Sequence, residues 1–318
     1  MKFFKWLKSI FFPEKINYLG TAYDNRYVAR SLYSDKPDEL IGHLRSSVQD
    51  MQSNEIAELI KDLPKDYKIQ AIDIAQKHLT PYDLAEIAVN DLTQEGKIEV
   101  LEKFQNRLDL EDIYQLFDTI TPDQRLNTLK KCVERFESST LAELIKKYIP
   151  LYERLDALNL YHDRIDNSSK AIIIGSLDPD RKVMALKQYG KELNKTDLND
   201  IICSTEKEKV FSVLSVVYND ISSNQIEDII TFYIPEQEKL AALYMCCNRL
   251  NSSTISDIIK FSIPEEQKEE ALVSLQNRIK RNNVGEIIQF CIKGKDVLKK
   301  VKDNLYPEDY EFFSNQDK

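Results

Sequence analysis

Prolines recur at nearly even intervals along most of this 318-residue chain, at Pro64, Pro122, Pro150, Pro179, Pro235 and Pro264. The gaps are 58, 28, 29, 56 and 29 residues, each close to one or two units of 28 to 29. Thr93 and Thr205 occupy the slot where a unit skips its proline. A fixed period in this range is the signature of stacked-repeat architecture, in which each unit buries its apolar side only against its neighbours. Eight units follow, at 52–79, 80–108, 109–136, 137–165, 166–193, 194–221, 222–250 and 251–279. A degenerate cap repeat runs from 280 to 305, and an acidic, aromatic tail closes the chain at 306–318.

The physical chemistry of one unit predicts two helices. Most units open on Ser, Thr, Asn or Asp, whose side chains cap free N–H groups at a helix start. A short apolar-periodic stretch follows, as in Ile255, Ile258 and Ile259. The residue before proline is pushed out of the α region, so this helix A ends there. Acidic residues after the proline favour the start of a second helix, because carboxylates oppose the positive end of its dipole. Helix B carries one apolar stripe, for example Leu240, Leu243, Cys247 and Leu250. A column of small residues (Ala71, Ala157, Ala185, Ser212, Ala242 and Ala271) lets helix B approach its neighbour closely. The expected fold is an all-α solenoid of about eight helix pairs, with a helical cap at each end.

The stretches LDPDRKVMALKQYGKEL (177–193) and IPEEQKEEALVSLQNRI (263–279) resemble the second helix of a HEAT-like repeat in its short form. The resemblance covers about residues 52 to 279. The Val-Arg order of that family is replaced here by Lys or Arg followed by Leu, Ile or Val. SNEIAELIKDLP (53–64) looks equally like the helical cytoplasmic domains of magnesium transporters. The HEAT-like resemblance implies an α-solenoid with a scaffold or adaptor role, and names no particular partner. It also implies a rival, because some HEAT-like solenoids resemble nucleic-acid base-removal enzymes that hold substrate in a basic concave groove.

A basic residue recurs just after each turn: Lys68, Lys97, Arg125, Arg154, Lys182, Lys209, Lys239 and Lys268. It reads either as a stripe for an acidic partner or as a ladder between repeats, meeting an acidic column on helix A. That column holds Glu58, Glu86, Glu143, Asp200, Asp228, Asp257 and Glu286, and its matching period favours the ladder. A second cation closes helix B at Arg107, Arg135, Arg164, Arg249 and Arg278, where it suits the negative end of the dipole.

The first fourteen residues break the pattern. MKFFKWLKSIFFPE places Phe3, Phe4, Leu7 and Phe11 on one side of a helix, with Trp6 at its edge and Lys2, Lys5 and Lys8 opposite. The segment is too short to span a bilayer, and its lysines interrupt the apolar run a signal peptide needs. Two readings stay open: insertion into an anionic membrane interface, or closure of the first repeat. Residues 15–51 are tyrosine-rich and are expected to form an N-terminal helical cap. At the other end, Lys280, Arg281, Lys293, Lys295, Lys299 and Lys300 make a basic end-face, suited to phosphates or an acidic protein, or to the polar outer face of a terminal repeat.

Chemistry is not written in this sequence. His43, His78 and His162 are scattered, the seven glycines never cluster, and no metal-ligand spacing, phosphate loop or nucleophile motif occurs. The expectation is therefore a non-enzyme without a cofactor. The five cysteines lack a CxxC pair and read as thiols of a reducing compartment. A net charge of −9 argues against a general nucleic-acid binder. The reading is a cytoplasmic scaffold or adaptor for a protein or peptide, peripheral to a membrane if the N-terminal helix inserts. Its alternatives are the base-removal enzyme and a self-assembling structural component.

Overall fold

The computed structural model describes residues 36–291 and 295–315. Among them there is no strand, and within each unit most helices pack on their neighbours in the chain. The chain divides into two compact units, 1–136 and 137–318.

In the first unit, α1 (Pro37–Ser47) precedes three pairs: α2 (Ser53–Asp62) with α3 (Lys65–Ala75), α4 (Pro81–Asp91) with α5 (Gln94–Phe104), and α6 (Leu110–Thr119) followed by α7 (Pro122–Cys132). Helices A stack in the order α2, α4, α6, while α1 lies on α3 and α5 on α7. Helix α1 therefore occupies a helix B position. It opens on Pro37 and ends in a 3-10 turn at Val48–Asp50, as most helices B do, so the repeat begins one helix earlier than 52.

In the second unit the A helices are α8 (Ser138–Tyr148), α10 (Asn167–Gly175), α12 (Lys195–Cys203), α14 (Ser223–Asp228), α16 (Ser252–Phe261) and α18 (Arg281–Cys291). Their B partners are α9 (Arg154–Tyr161), α11 (Pro179–Tyr189), α13 (Val210–Val217), α15 (Glu236–Cys246), α17 (Glu265–Leu275) and α19 (Lys295–Val301). A final helix, α20 (Pro307–Asn315), packs on α19 and brings Asp309 against Gly285 of α18. Helices α18 and α19 both pack on α17, and most of the stretch read as a tail is helical.

The local chemistry works largely as the unit demands. Side chains of Thr80, Thr93, Asp109, Asp166, Asp178, Asn194, Ser222 and Asn251 accept the N–H three residues on. Leu63, Ile149 and Ile234 are extended before their prolines, which stops helix A. Most helices B tighten into one 3-10 turn, and the following apolar residue, such as Phe136, Leu250 or Ile279, donates its N–H back to that turn's first carbonyl. Ala71, Ala157, Ala185, Ala242 and Ala271 are fully buried, where any larger side chain would hold the helices apart.

At three of the repeats, a serine that opens helix A accepts the backbone N–H that precedes the next helix A. Ser53 Oγ receives Thr80 N at 2.7 Å, Ser138 Oγ receives Asp166 N at 2.8 Å and Ser252 Oγ receives Lys280 N at 2.7 Å. At these three layers one hydroxyl thus satisfies a donor that the helix start leaves free, and also sets the register between neighbours.

Candidate functional site

The eight cations after the turns take backbone carbonyls more than carboxylates, which corrects the ladder expected from the sequence. Lys68 Nζ donates to Lys61 O at 2.8 Å and meets Asp91 at 3.1 Å. Arg125 holds Ile120 O and Asp118 O, and Lys239 holds Thr231 O at 2.8 Å. Arg154 bridges two repeats, from Ile149 O at 3.0 Å to Ser176 O at 2.9 Å. Lys182 reaches Ser204 O and the Thr205 hydroxyl of the next repeat. Burial pushes the Lys97 and Lys182 ammoniums below their ordinary range, with Lys65 adding repulsion at Lys97. Lys209 lies 4.0 Å from Asp180 and Lys268 2.8 Å from Glu265.

The reason is geometric. Helix B starts where helix A ends, so its first-turn cation lies beside four free carbonyls and the negative end of a dipole. The acidic column of helix A faces elsewhere. Four of its seven members are met by lysines at the end of helix A itself: Lys61 binds Glu58 and Glu86, and Lys260 binds Asp257 at 2.9 Å and Glu286 at 3.1 Å. The closing arginines make a third ladder, Arg107 to Gln76 O and Leu79 O, Arg249 to Ile221 O, and Arg278 to Cys247 O.

The eight N-terminal residues proposed to meet a membrane lie outside the described residues. Of the basic end-face, Arg281 donates to Asp303 O and stands over the Tyr306 ring, Lys280 and Lys300 are exposed, and Lys299 meets Asp296 at 3.4 Å. Lys293 and the side chain of Lys295 lie outside the described residues. Among the described residues no group of three or more His, Cys, Asp or Glu could hold a metal, and no helix is long and apolar enough to cross a membrane. The Cys132 and Cys246 thiols are pushed up to about 12 by burial, which leaves them unreactive packing groups.

Sequence reasoning missed a column of phenylalanines. Each helix A ends on a buried apolar pair, and the second residue after that pair points outward. In the first unit this position holds Asp62, Asn90 and Thr119; in the second it holds Lys147, Ser176 and Ser204, then Phe232, Phe261 and Phe290. The three rings are 69%, 78% and 72% exposed, so none is a core residue, and the Lys260 ammonium stands 5.3 Å from the centre of the Phe261 ring. Their spacing of 29 residues puts one on each successive layer of α14, α16 and α18. At Phe232 the helix widens into a π turn, Ile229–Tyr233, closed by Ile234 N to Ile229 O at 3.0 Å. Such widened turns are frequently found at functional sites.

Carboxylates border the rings. Asp228, Asp257 and Glu286 precede Phe232, Phe261 and Phe290 by four residues, hence one turn away on the same side. On the two layers before Phe232, small residues leave a hollow of about 330 Å³, lined by Ile172, Gly175, Ser176, Asp200 and Ser204. The outward face of helices A from α10 to α18 therefore offers an apolar hollow, then an aromatic ridge, along an acidic border. The 29-residue recurrence of Phe after an Ile-Ile pair was the available signal; it reads as more core until the rotation of helix A is known. In comparisons with known proteins, the chain matches no family model and no curated protein.

Proposed function

We propose that this chain is a non-catalytic scaffold or adaptor that grips a protein or peptide on the outward face of the A helices of its second unit. The exposed phenylalanine column carries the reading. A fold that tolerates Asp62, Asn90 and Thr119 at the same register does not need Phe232, Phe261 and Phe290 for stability. Exposed apolar surface concentrated in this way marks an interaction site. Burying a Phe side chain contributes about 1.5–3 kcal/mol, so three give roughly 5–9 kcal/mol before association costs of about 4 kcal/mol or more. A partner bound by these rings alone would be held weakly and reversibly, as suits an adaptor.

The turn cations support the same reading, since five of the eight are spent on helix-end carbonyls, unlike the open basic groove that the base-removal alternative needs. The test is affinity capture from the native source with the full chain and with a triple variant, Phe232→Ser, Phe261→Ser and Phe290→Ser. Reproducible partners of the wild type are expected to drop at least fivefold with the triple variant, and to persist when the exposed Lys130 is replaced by Ser. An identical partner set for wild type and triple variant would overturn the site.

The amphipathic segment at the N-terminus is proposed to bring that partner to an anionic membrane surface of the cytoplasm. Deleting residues 1–12 is expected to abolish co-sedimentation of the chain with phosphatidylserine vesicles at low salt. Unchanged sedimentation would end the membrane half of the proposal and leave the docking face untouched.

A further inference from the structure

We infer that the segment recognised by this aromatic face is a basic amphipathic helix whose large apolar residues recur every seven positions. The inference rests on the docking reading above and adds the partner's chemistry and geometry to it.

Three observations carry it. The first is charge. Asp200, Asp228, Asp257 and Glu286 border the hollow and the ridge, and Lys260 is shared between Asp257 and Glu286. Lys146 lies at the hollow. Lys239 is turned onto Thr231 O and Lys268 onto Glu265, so neither offsets the border fully. A partner with lysine or arginine beside its apolar residues gains on this border, and an acidic one is repelled.

The second is spacing. Stacked helices lie about 8–10 Å apart, so the rings of α14, α16 and α18 repeat at about that distance. A helix advances about 10.5 Å in seven residues, which brings one apolar side chain to each layer. The hollow on α10 and α12 continues the series and accepts one bulky residue, such as Leu or Phe.

The third is backbone chemistry. Helices A already use their own N–H and C=O groups, and no strand edge exists among the described residues. An extended peptide laid on the phenyl rings would lose water from its own backbone without a partner for it, which is costly. A helix arrives with those groups paired, as in helix-on-groove recognition.

The experiment uses the full chain and fluorescein-labelled synthetic helices of about three heptads, read by anisotropy at low and moderate salt. The first peptide carries Leu at every seventh position with Lys one turn away. The second replaces each Lys by Glu, and the third scrambles the first. The inference expects the first peptide to bind at least tenfold tighter than either of the others. The triple Phe→Ser variant is expected to weaken it at least tenfold. Asp228→Asn with Asp257→Asn and Glu286→Gln should weaken it about threefold to tenfold and flatten its salt dependence. These rings and carboxylates are exposed or half-exposed, and circular dichroism confirms that each variant keeps the wild-type helix content.

Equal binding of the lysine and glutamate peptides would overturn the basic partner while leaving the docking face in place. Equal binding of the scrambled peptide would overturn the heptad geometry. Binding indifferent to the Phe substitutions would overturn both this inference and the proposed function. A wild-type chain that is dimeric by light scattering, and made monomeric by the Phe substitutions, would show that a second copy occupies the face, and would overturn the inference.

Discussion

Replacing Phe117 by Ala destabilises the first unit by about 3–5 kcal/mol, the range for emptying a fully buried aromatic site. Phe117 is a wholly buried side chain of α6, a helix that packs against both α4 and α5. Each layer of a repeat stack is supported only by its neighbours, so a cavity at this helix is felt by the repeats packed on it. A urea titration followed by circular dichroism should show the loss as a lower midpoint. Hydrogen exchange should place it in α4, α5 and α6, while amides of α16 and α17 keep their protection. Phe117→Leu, which retains most of the volume, is expected to lose less than half as much. A loss below about 1 kcal/mol for Phe117→Ala would show that the layers close over the cavity, contrary to a stack built from rigid pairs.

The second large effect belongs to Arg154. Its guanidinium donates to Ile149 O and to Ser176 O, tying the end of α8 to the end of α10. Arg154→Ala frees two helix-end carbonyls in one step. Hydrogen bonds from a charged donor contribute about 1.5–3 kcal/mol each and are not additive; water reaches part of the site, so the expected loss is about 2–3 kcal/mol. Arg154→Lys should recover less than half of it, because an ammonium lacks the planar fork that spans both acceptors. The same urea titration measures both variants, with exchange followed at the last turns of α8 and α10. Equal stability of the Lys variant and the wild type would mean that charge near the dipoles matters and the bridge does not.

The two results bear on how a repeat protein is read. Proline spacing, capping residues and apolar periodicity located helices A and B, because each is a local demand on the backbone: Pro235 stops α14 through Ile234, and Asn251 caps α16 whatever lies beside them. The small column was legible for a related reason, since an alanine repeated at Ala157, Ala185, Ala242 and Ala271 has little to do except admit a neighbour. Helix α1 was harder to see as a repeat, because the sequence before it shows no clean period. The turn cations were found, and their partners were misread. A charge column predicts an opposite charge column by pattern alone, whereas the distance from helix B's first turn to helix A's last carbonyls is a property of the folded hairpin.

The phenylalanines mark the boundary most sharply. Phe232, Phe261 and Phe290 follow two buried isoleucines each, and nothing local distinguishes a third apolar residue that continues the core from one that leaves it. The sequence by itself determined the unit: its length, its two helices, the turn that joins them, and the all-α stack that such units build. Only the tertiary structure decided which side of helix A meets water, and with it the acidic, aromatic face. Local order depends on neighbours along the chain, but exposure depends on how each helix is rotated by the layers packed above and below it.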